Sequence, residues 1–164
     1  MRGDPGREVR RWRAERQDDP GRDVRVSAGW ACAALTSSGY GVDFTIDTLG
    51  EVDRFFADQT RTGRVRRRSV LGRDLDGRLD AVGAYVGETI RRAAGGVWQV
   101  DLHDPENGRL LLLLDDGARL HPLRDVRRMF EELCTTGTPT GVAVYGALHG
   151  AASQPAARAE LGRG

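Results

Sequence analysis

Potential metal ligands are concentrated in one short stretch of the sequence. Asp101, His103, Asp104 and Glu106 lie close together there. On a β-strand Asp101 and His103 would point to the same side, which is the convergence that a zinc site requires. The stretch runs into a polar turn, however, whereas closed metal sites need ligands held in fixed geometry. We therefore predict an exposed strand face, with no resident metal and no cofactor.

A second arrangement pairs Asp101 with His121, which follows the next two predicted strands. Leu111 would lie between them, so we expect the carboxylate and the imidazole to be too far apart for direct proton transfer. The sequence contains no nucleophile elbow, phosphate-binding glycine loop or dinucleotide fingerprint. We predict no catalytic residue. A small, metal-assisted enzyme that uses Asp101, His103 and His121 remains an alternative.

The densest positive charge lies in residues 61–68. Its members are Arg61, Arg64, Arg66, Arg67 and Arg68. Proteins that bind nucleic acid place such arginines beside aromatic residues or on a docking helix, and neither accompanies this cluster. We interpret it as a solvated loop or a patch for an acidic protein, with nucleic-acid binding as an alternative. The whole chain carries 25 basic and 24 acidic residues, so it is not built to coat a polyanion.

The composition indicates a cytoplasmic bacterial protein. All basic residues are Arg, and Asn and Ile are scarce, which is typical of a GC-rich, actinobacterial-type coding sequence. Cys32 and Cys134 are isolated from each other and from metal-spaced partners, so we expect reduced thiols. No apolar run approaches the roughly 20 residues of a membrane-spanning helix.

The elements that would position these residues form an α+β fold. Helical spacing of apolar residues predicts helices over 48–59, 77–94 and 123–134. Alternation and turn residues predict a three-stranded antiparallel meander over 97–121, and a further strand over 41–46. After Thr138-Pro139, the chain fits either a last helix or a strand.

The strand register follows from the turn at Asp115-Asp116-Gly117. A three-residue loop with Gly117 in the left-handed conformation would pair Leu112 with Leu120. Only this register collects the large apolar residues on one face, because a slip by one residue reverses every side chain. That face, which we expect the helices to cover, comprises Trp98, Val100, Leu102, Leu110, Leu112, Leu114 and Leu120.

The ends of the chain have few apolar residues. Residues 1–28 are rich in Arg and acidic residues, and we predict that they are disordered and dispensable. The same composition argument predicts a disordered tail over 150–164. The single folded domain is therefore expected to span residues 29–149.

The predicted helix 77–94 carries three local expectations. Gly83 and Gly87 lie one turn apart, which predicts close approach of another element of the same domain. Glu88 is expected to be a solvated charge paired with Arg92 at i,i+4. Asp76 is expected to be the helix N-cap.

Part of the sequence resembles a family of uncharacterised bacterial domains of unknown function. The matching residues are the segment Leu79–Gly96, which includes Tyr85-Val86-Gly87-Glu88, and then Trp98, Asp116-Gly117 and Pro122. The resemblance covers roughly residues 41–148. It implies a fold and supplies no site residues.

These observations favour a non-catalytic protein-protein interaction module, such as an adaptor or an immunity-like bacterial protein. The central strand is apolar at every position from Leu110 to Leu114, so Leu111 and Leu113 must lie on the outer face of the sheet. They would be surrounded there by Asp101, Arg119 and His121. Apolar residues rimmed by charge are typical of a recognition surface. Alternatively, residues 29–46 cover the same two leucines.

Overall fold

The computed structural model describes residues 19–61, 64–65, 70–103 and 110–151. Within them the chain forms five α-helices, a two-stranded hairpin and a three-stranded antiparallel sheet, which is an α+β fold. The helices are α1 (Pro20–Ser37), α2 (Gly50–Gln59), α3 (Leu75–Ala94), α4 (Pro122–Thr136) and α5 (Val142–Gly150). The strands are β1 (Thr60–Arg61), β2 (Arg64–Val65), β3 (Gly96–Val100), β4 (Leu110–Leu114) and β5 (Arg119–Leu120). None of the described helices is long and apolar enough to cross a membrane.

The predicted register of the sheet is confirmed. Leu112 lies opposite Leu120, and the Leu114 amide donates a hydrogen bond of 2.9 Å to the Ala118 carbonyl oxygen. Gly117 has a φ of +89°, in the left-handed region that a three-residue loop requires. Since the pairing is as predicted, the inward and outward faces of β4 are assigned correctly as well.

Helix α3 lies at the centre of the fold, where α1, α4 and α5 all pack against it. The inner sheet face contributes Trp98, Leu112, Leu114 and Leu120 to the buried core. Two residues predicted for that face are exposed instead, Val100 at 45% and Leu102 at 83%. Leu102 lies beyond β3, which ends at Val100, so the alternation of a strand does not extend to it. Val100 is the last paired residue of β3, at the edge of the face that the helices cover.

Helix α1 corrects the prediction that residues 1–28 are disordered. Residues 20–28 form its first half, while residues 1–18 lie outside the described part of the chain. The buried stripe of α1, which packs against α3, consists of Gly21, Val24, Ala28, Ala31 and Leu35. The stripe has helical spacing but consists mostly of small residues, and a domain boundary at residue 28 cuts it in two. Gly150 ends α5, and the predicted tail from 152 onward also lies outside the described residues.

The strand predicted over 41–46 is wrong. This segment is irregular and ends in a 3-10 turn at Ile46–Thr48. The Asp43 carboxylate accepts hydrogen bonds from the Thr45 amide at 3.0 Å and from the Thr48 hydroxyl at 3.1 Å. Such local side-chain bonds compete with strand pairing. Phe44, at a φ of +62°, is outside the β region altogether.

Two helix starts differ from the sequence prediction. Asp74 caps α3, since its carboxylate accepts a hydrogen bond of 3.2 Å from the Gly77 amide, and Asp76 pairs with Arg127 instead. Residues 142–150 form a helix, α5, and its N-terminus is capped from a distance. The Asp53 carboxylate in α2 accepts hydrogen bonds of 2.9 Å from the first two amides of α5. A partner so distant in sequence leaves no local signal.

Candidate functional site

Asp101 and His121 meet on the outer face of the sheet. Asp101 follows β3, His121 precedes α4, and the Asp101 Oδ2 to His121 Nε2 distance is 3.0 Å. The expectation that they are too far apart is wrong. That expectation rested on the separation of the two backbones, which lie two strands apart at about 10 Å. The two side chains extend toward each other and span that gap.

The Asp101 carboxylate has both oxygen atoms occupied. Besides the bond with His121, its Oδ1 accepts a hydrogen bond of 2.9 Å from the His103 amide. The bond from His121, the bond from this amide and the nearby charge of Arg119 lower the pKa of Asp101 below its ordinary value. Asp101 is therefore an ionised clamp that ties the end of β3 to the start of α4.

The metal cluster considered from the sequence is not assembled in the described residues. The side chain of His103 is exposed, and Asp104 and Glu106 lie outside the described part. No group of three or more potential ligands is found among the residues that are described. The side chains of the arginine cluster at 61–68 also lie outside the described part of the structure. The structure therefore does not test nucleic-acid binding by this cluster.

The proposed sheet interface has a buried centre. Leu111 is only 2% exposed, Leu113 is half-buried and Arg119 is exposed. Leu111 is nevertheless absent from the main core cluster, to which Leu112 and Leu114 belong. Leu111 is thus inaccessible to a partner in this structure. The apolar groups that the outer face still exposes are Val97, at 55%, and the half-buried Leu113 opposite it.

Glu88 lies inside the protein. The predicted contact with Arg92 is present, at 3.3 Å, but Glu88 is 1% exposed and is not a solvated charge. Arg91 binds its carboxylate with two hydrogen bonds of 2.8 Å, and the indole Nε1 of Trp98 donates a third at 3.3 Å. Burial by itself raises the pKa of Glu88, yet the bonds from Arg91 and Trp98 outweigh it and the pKa lies below its ordinary value.

The close approach predicted for the two glycines of α3 is confirmed. A Cβ atom at Gly83 would lie 2.7 Å from the Cα atom of Leu123. A Cβ atom at Gly87 would overlap the Trp98 ring and come within 2.9 Å of Pro122 Cγ. Gly87, Glu88, Trp98 and Pro122 therefore form one packing unit.

The two thiols are free and half-buried. Cys32 Sγ contacts the Val42 carbonyl oxygen at 3.8 Å. Burial raises the pKa of Cys134, so its reactive thiolate form is disfavoured. Cys134 is therefore not activated for nucleophilic chemistry.

The sequence reasoning missed the outer surface of α1. Trp30 is 51% exposed and Val26, one turn earlier, is 68% exposed. Both line a groove of about 440 Å³ between α1 and the start of α3, which we call the Trp30 groove. Its lining comprises Val26, Ser27, Trp30, Asp74, Gly77, Arg78 and Ala81. The missed signal is the run 28–35, which makes two helical turns without a charged residue. Only three of its eight residues are buried, Ala28, Ala31 and Leu35.

A small apolar cavity adjoins the groove. It measures about 20 Å³, which is room for one water molecule. Trp30 and Arg78 line both spaces, and the Arg78 guanidinium lies 6.0 Å from the centre of the Trp30 ring. The two side chains therefore stand where the groove meets the apolar interior formed by Leu35, Phe55 and Val82.

Comparisons of the chain with protein-family models, with curated proteins and with solved structures give no significant match.

Proposed function

We propose that the protein is a non-catalytic protein-binding module, of the adaptor or immunity type, and that the Trp30 groove is its contact surface. The observation that carries the proposal is the half-exposed indole of Trp30 beside a concave surface. Tryptophan is among the residues that most often dominate binding energy at interfaces. The rim contributed by Ser27, Asp74 and Arg78 supplies the polar border typical of such a surface.

The proposal moves the contact surface from the outer sheet face, which the sequence favoured, to α1. Leu111 is buried, whereas Val26 and Trp30 are accessible and lie on one side of a helix. Gly87, Glu88, Trp98 and Pro122 pack against one another, so we assign these four residues to the fold and place binding elsewhere. The two free thiols and the composition fit action in the cytoplasm of an actinobacterium.

Capture experiments with matched variants test the proposal. Wild-type protein, Trp30→Ala and Val144→Ala would be immobilised and exposed to lysate of the source organism. Val144 is 72% exposed on α5 and serves as the control for removal of an exposed apolar side chain. We expect a stoichiometric partner with wild type and Val144→Ala, and its loss with Trp30→Ala at an unchanged melting temperature. Retention by Trp30→Ala would contradict the assignment of the surface.

A second candidate is the small enzyme, which the 3.0 Å contact between Asp101 and His121 favours. An imidazole held by a carboxylate is a common proton-transfer unit. The test is turnover of p-nitrophenyl esters and phosphates by wild type, His121→Asn and His103→Asn. Turnover lost only in His121→Asn would support the enzyme, and absence of turnover in all three proteins would leave the clamp as the role of the pair.

A further inference from the structure

The charge and shape of the Trp30 groove restrict the partner that it can accept, and this inference rests on the proposed function. Arg78 forms no ion pair with any carboxylate among the described residues, and the one side-chain contact that its guanidinium makes there is with the Trp30 ring. Asp74, the carboxylate one turn before it, is engaged as the cap of α3 and accepts a hydrogen bond from the Gly77 amide. Within the described part of the chain, a cation without an ion-pair partner thus lies beside an exposed indole.

We infer that the groove binds an amphipathic helix of a partner protein that carries a large apolar residue one turn from Asp or Glu. The walls of the groove are α1 and the first turns of α3, and a shallow groove between helices is a frequent docking site for a helical segment. The apolar residue packs against Trp30 and Val26. The acidic residue pairs with Arg78.

The spacing of the two contact groups supports a helical partner. The Trp30 ring centre and the Arg78 guanidinium are 6.0 Å apart. Side chains at i and i+3 or i+4 of a helix start about 5–6 Å apart, so one turn of the partner presents its apolar and acidic groups at the same separation. A guanidinium at this long distance from the ring is weakly held. Exchanging this weak contact for a bond to an incoming carboxylate should therefore cost little.

Charge reversal at Arg78 gives a direct test that needs no knowledge of the natural partner. A display library of helical peptides with randomised surface positions would be selected on wild type, Arg78→Glu, Arg78→Gln and Trp30→Ala. We expect wild type to select an apolar residue with Asp or Glu three or four positions away. Arg78→Glu should select Lys or Arg at that position, Arg78→Gln should select neither charge, and Trp30→Ala should enrich no sequence.

A peptide selected on wild type would then be measured against each variant. We expect its affinity to fall about three- to tenfold with Arg78→Glu, because an exposed pair is lost and a repulsion is gained. The loss should shrink at high salt. Selected peptides that depend on Trp30 but carry no acidic residue would overturn this inference and leave the proposed function standing. If Trp30→Ala enriched the same peptides as wild type, or if wild type enriched none, both this inference and the proposed function would be overturned.

Discussion

The indole Nε1 of Trp98 donates a hydrogen bond of 3.3 Å to the carboxylate of Glu88, which is 1% exposed. The bond joins the inner face of the sheet to the central helix and is made possible by Gly87, whose missing side chain leaves room for the Trp98 ring. Replacing Trp98 removes both the ring from the core and a donor from a buried charge. We expect Trp98→Ala to lower the free energy of unfolding by about 3–5 kcal/mol, measured by denaturant titration. Trp30→Ala, at an exposed indole, should change it by less than about 1 kcal/mol.

The pH dependence of stability should report the ionised state of Glu88. Its folded pKa lies below the usual 4.5, so its charge stabilises the fold above about pH 4.5 and loses that effect as the pH falls through the folded pKa. Glu88→Gln should therefore be less stable than wild type at pH 7, with the difference shrinking below pH 4.5. Unfolding curves of both proteins between pH 7 and pH 3 measure it. A difference that stays constant over this range would contradict the assignment.

Two helical glycines should respond in opposite ways to the same change. Gly87→Ala places a Cβ atom against Trp98 and Pro122, and we expect it to destabilise the protein by about 1–3 kcal/mol. Gly29→Ala, in α1, meets no atom within 4 Å and should stabilise by about 0.5–1 kcal/mol, because alanine has the higher helix propensity. Thermal unfolding of the two variants beside wild type checks both signs.

Two truncated proteins should distinguish the contribution of α1 to stability from that of the residues before it. Deleting residues 1–28 removes Val24 and Ala28 from the core, so we expect a loss of more than about 2 kcal/mol relative to a chain that starts at Asp19. Denaturant titration of the two truncated proteins measures the difference. Equal stability would restore the sequence-based expectation that the whole segment is dispensable.

Burial of Leu111 predicts an asymmetric response of the two outer leucines. Leu111→Asp places an unpaired carboxylate where the side chain is 2% exposed, which should unfold the domain because such burial costs several kcal/mol. Leu113→Asp, at a half-buried position, should leave it folded. Circular dichroism of the two variants distinguishes them. A folded Leu111→Asp protein would return the outer face to consideration as an interface.

The clamp between Asp101 and His121 predicts an energetic coupling. Asp101→Ala and His121→Ala should each reduce stability, and the double variant should lose less than the sum because both changes remove one shared contact. The same cycle between Asp101→Ala and His103→Ala should show little coupling, since only the backbone amide of His103 contacts Asp101. Additive effects in the first cycle would show that the contact does not persist in solution.

The sequence by itself determined the elements whose signals are local. The turn residues Asp115-Asp116-Gly117 and the requirement that Trp98 and Leu120 share one face of the sheet admit only one register, and the structure has it. The 3.6-residue spacing of large apolar side chains likewise located α2, α3 and α4 to within two residues at each end. In these segments the apolar residues that reveal the element in the sequence are the same residues that form its buried face. Their position can therefore be predicted without knowledge of distant residues.

Tertiary structure decided whatever depends on residues far apart in sequence. The buried side of α1 consists mostly of small side chains, which are recognised as a packing surface only once α3 is seen to cover them. Asp53 caps α5 from 89 residues away. Asp101 reaches His121 through side-chain extension, which strand spacing alone does not reveal. The accessibility of Trp30 has the same origin. The composition of the uncharged run 28–35 does not reveal which of its sides is covered. Whether a side chain is buried depends on the element that packs against it, and that element is distant in sequence.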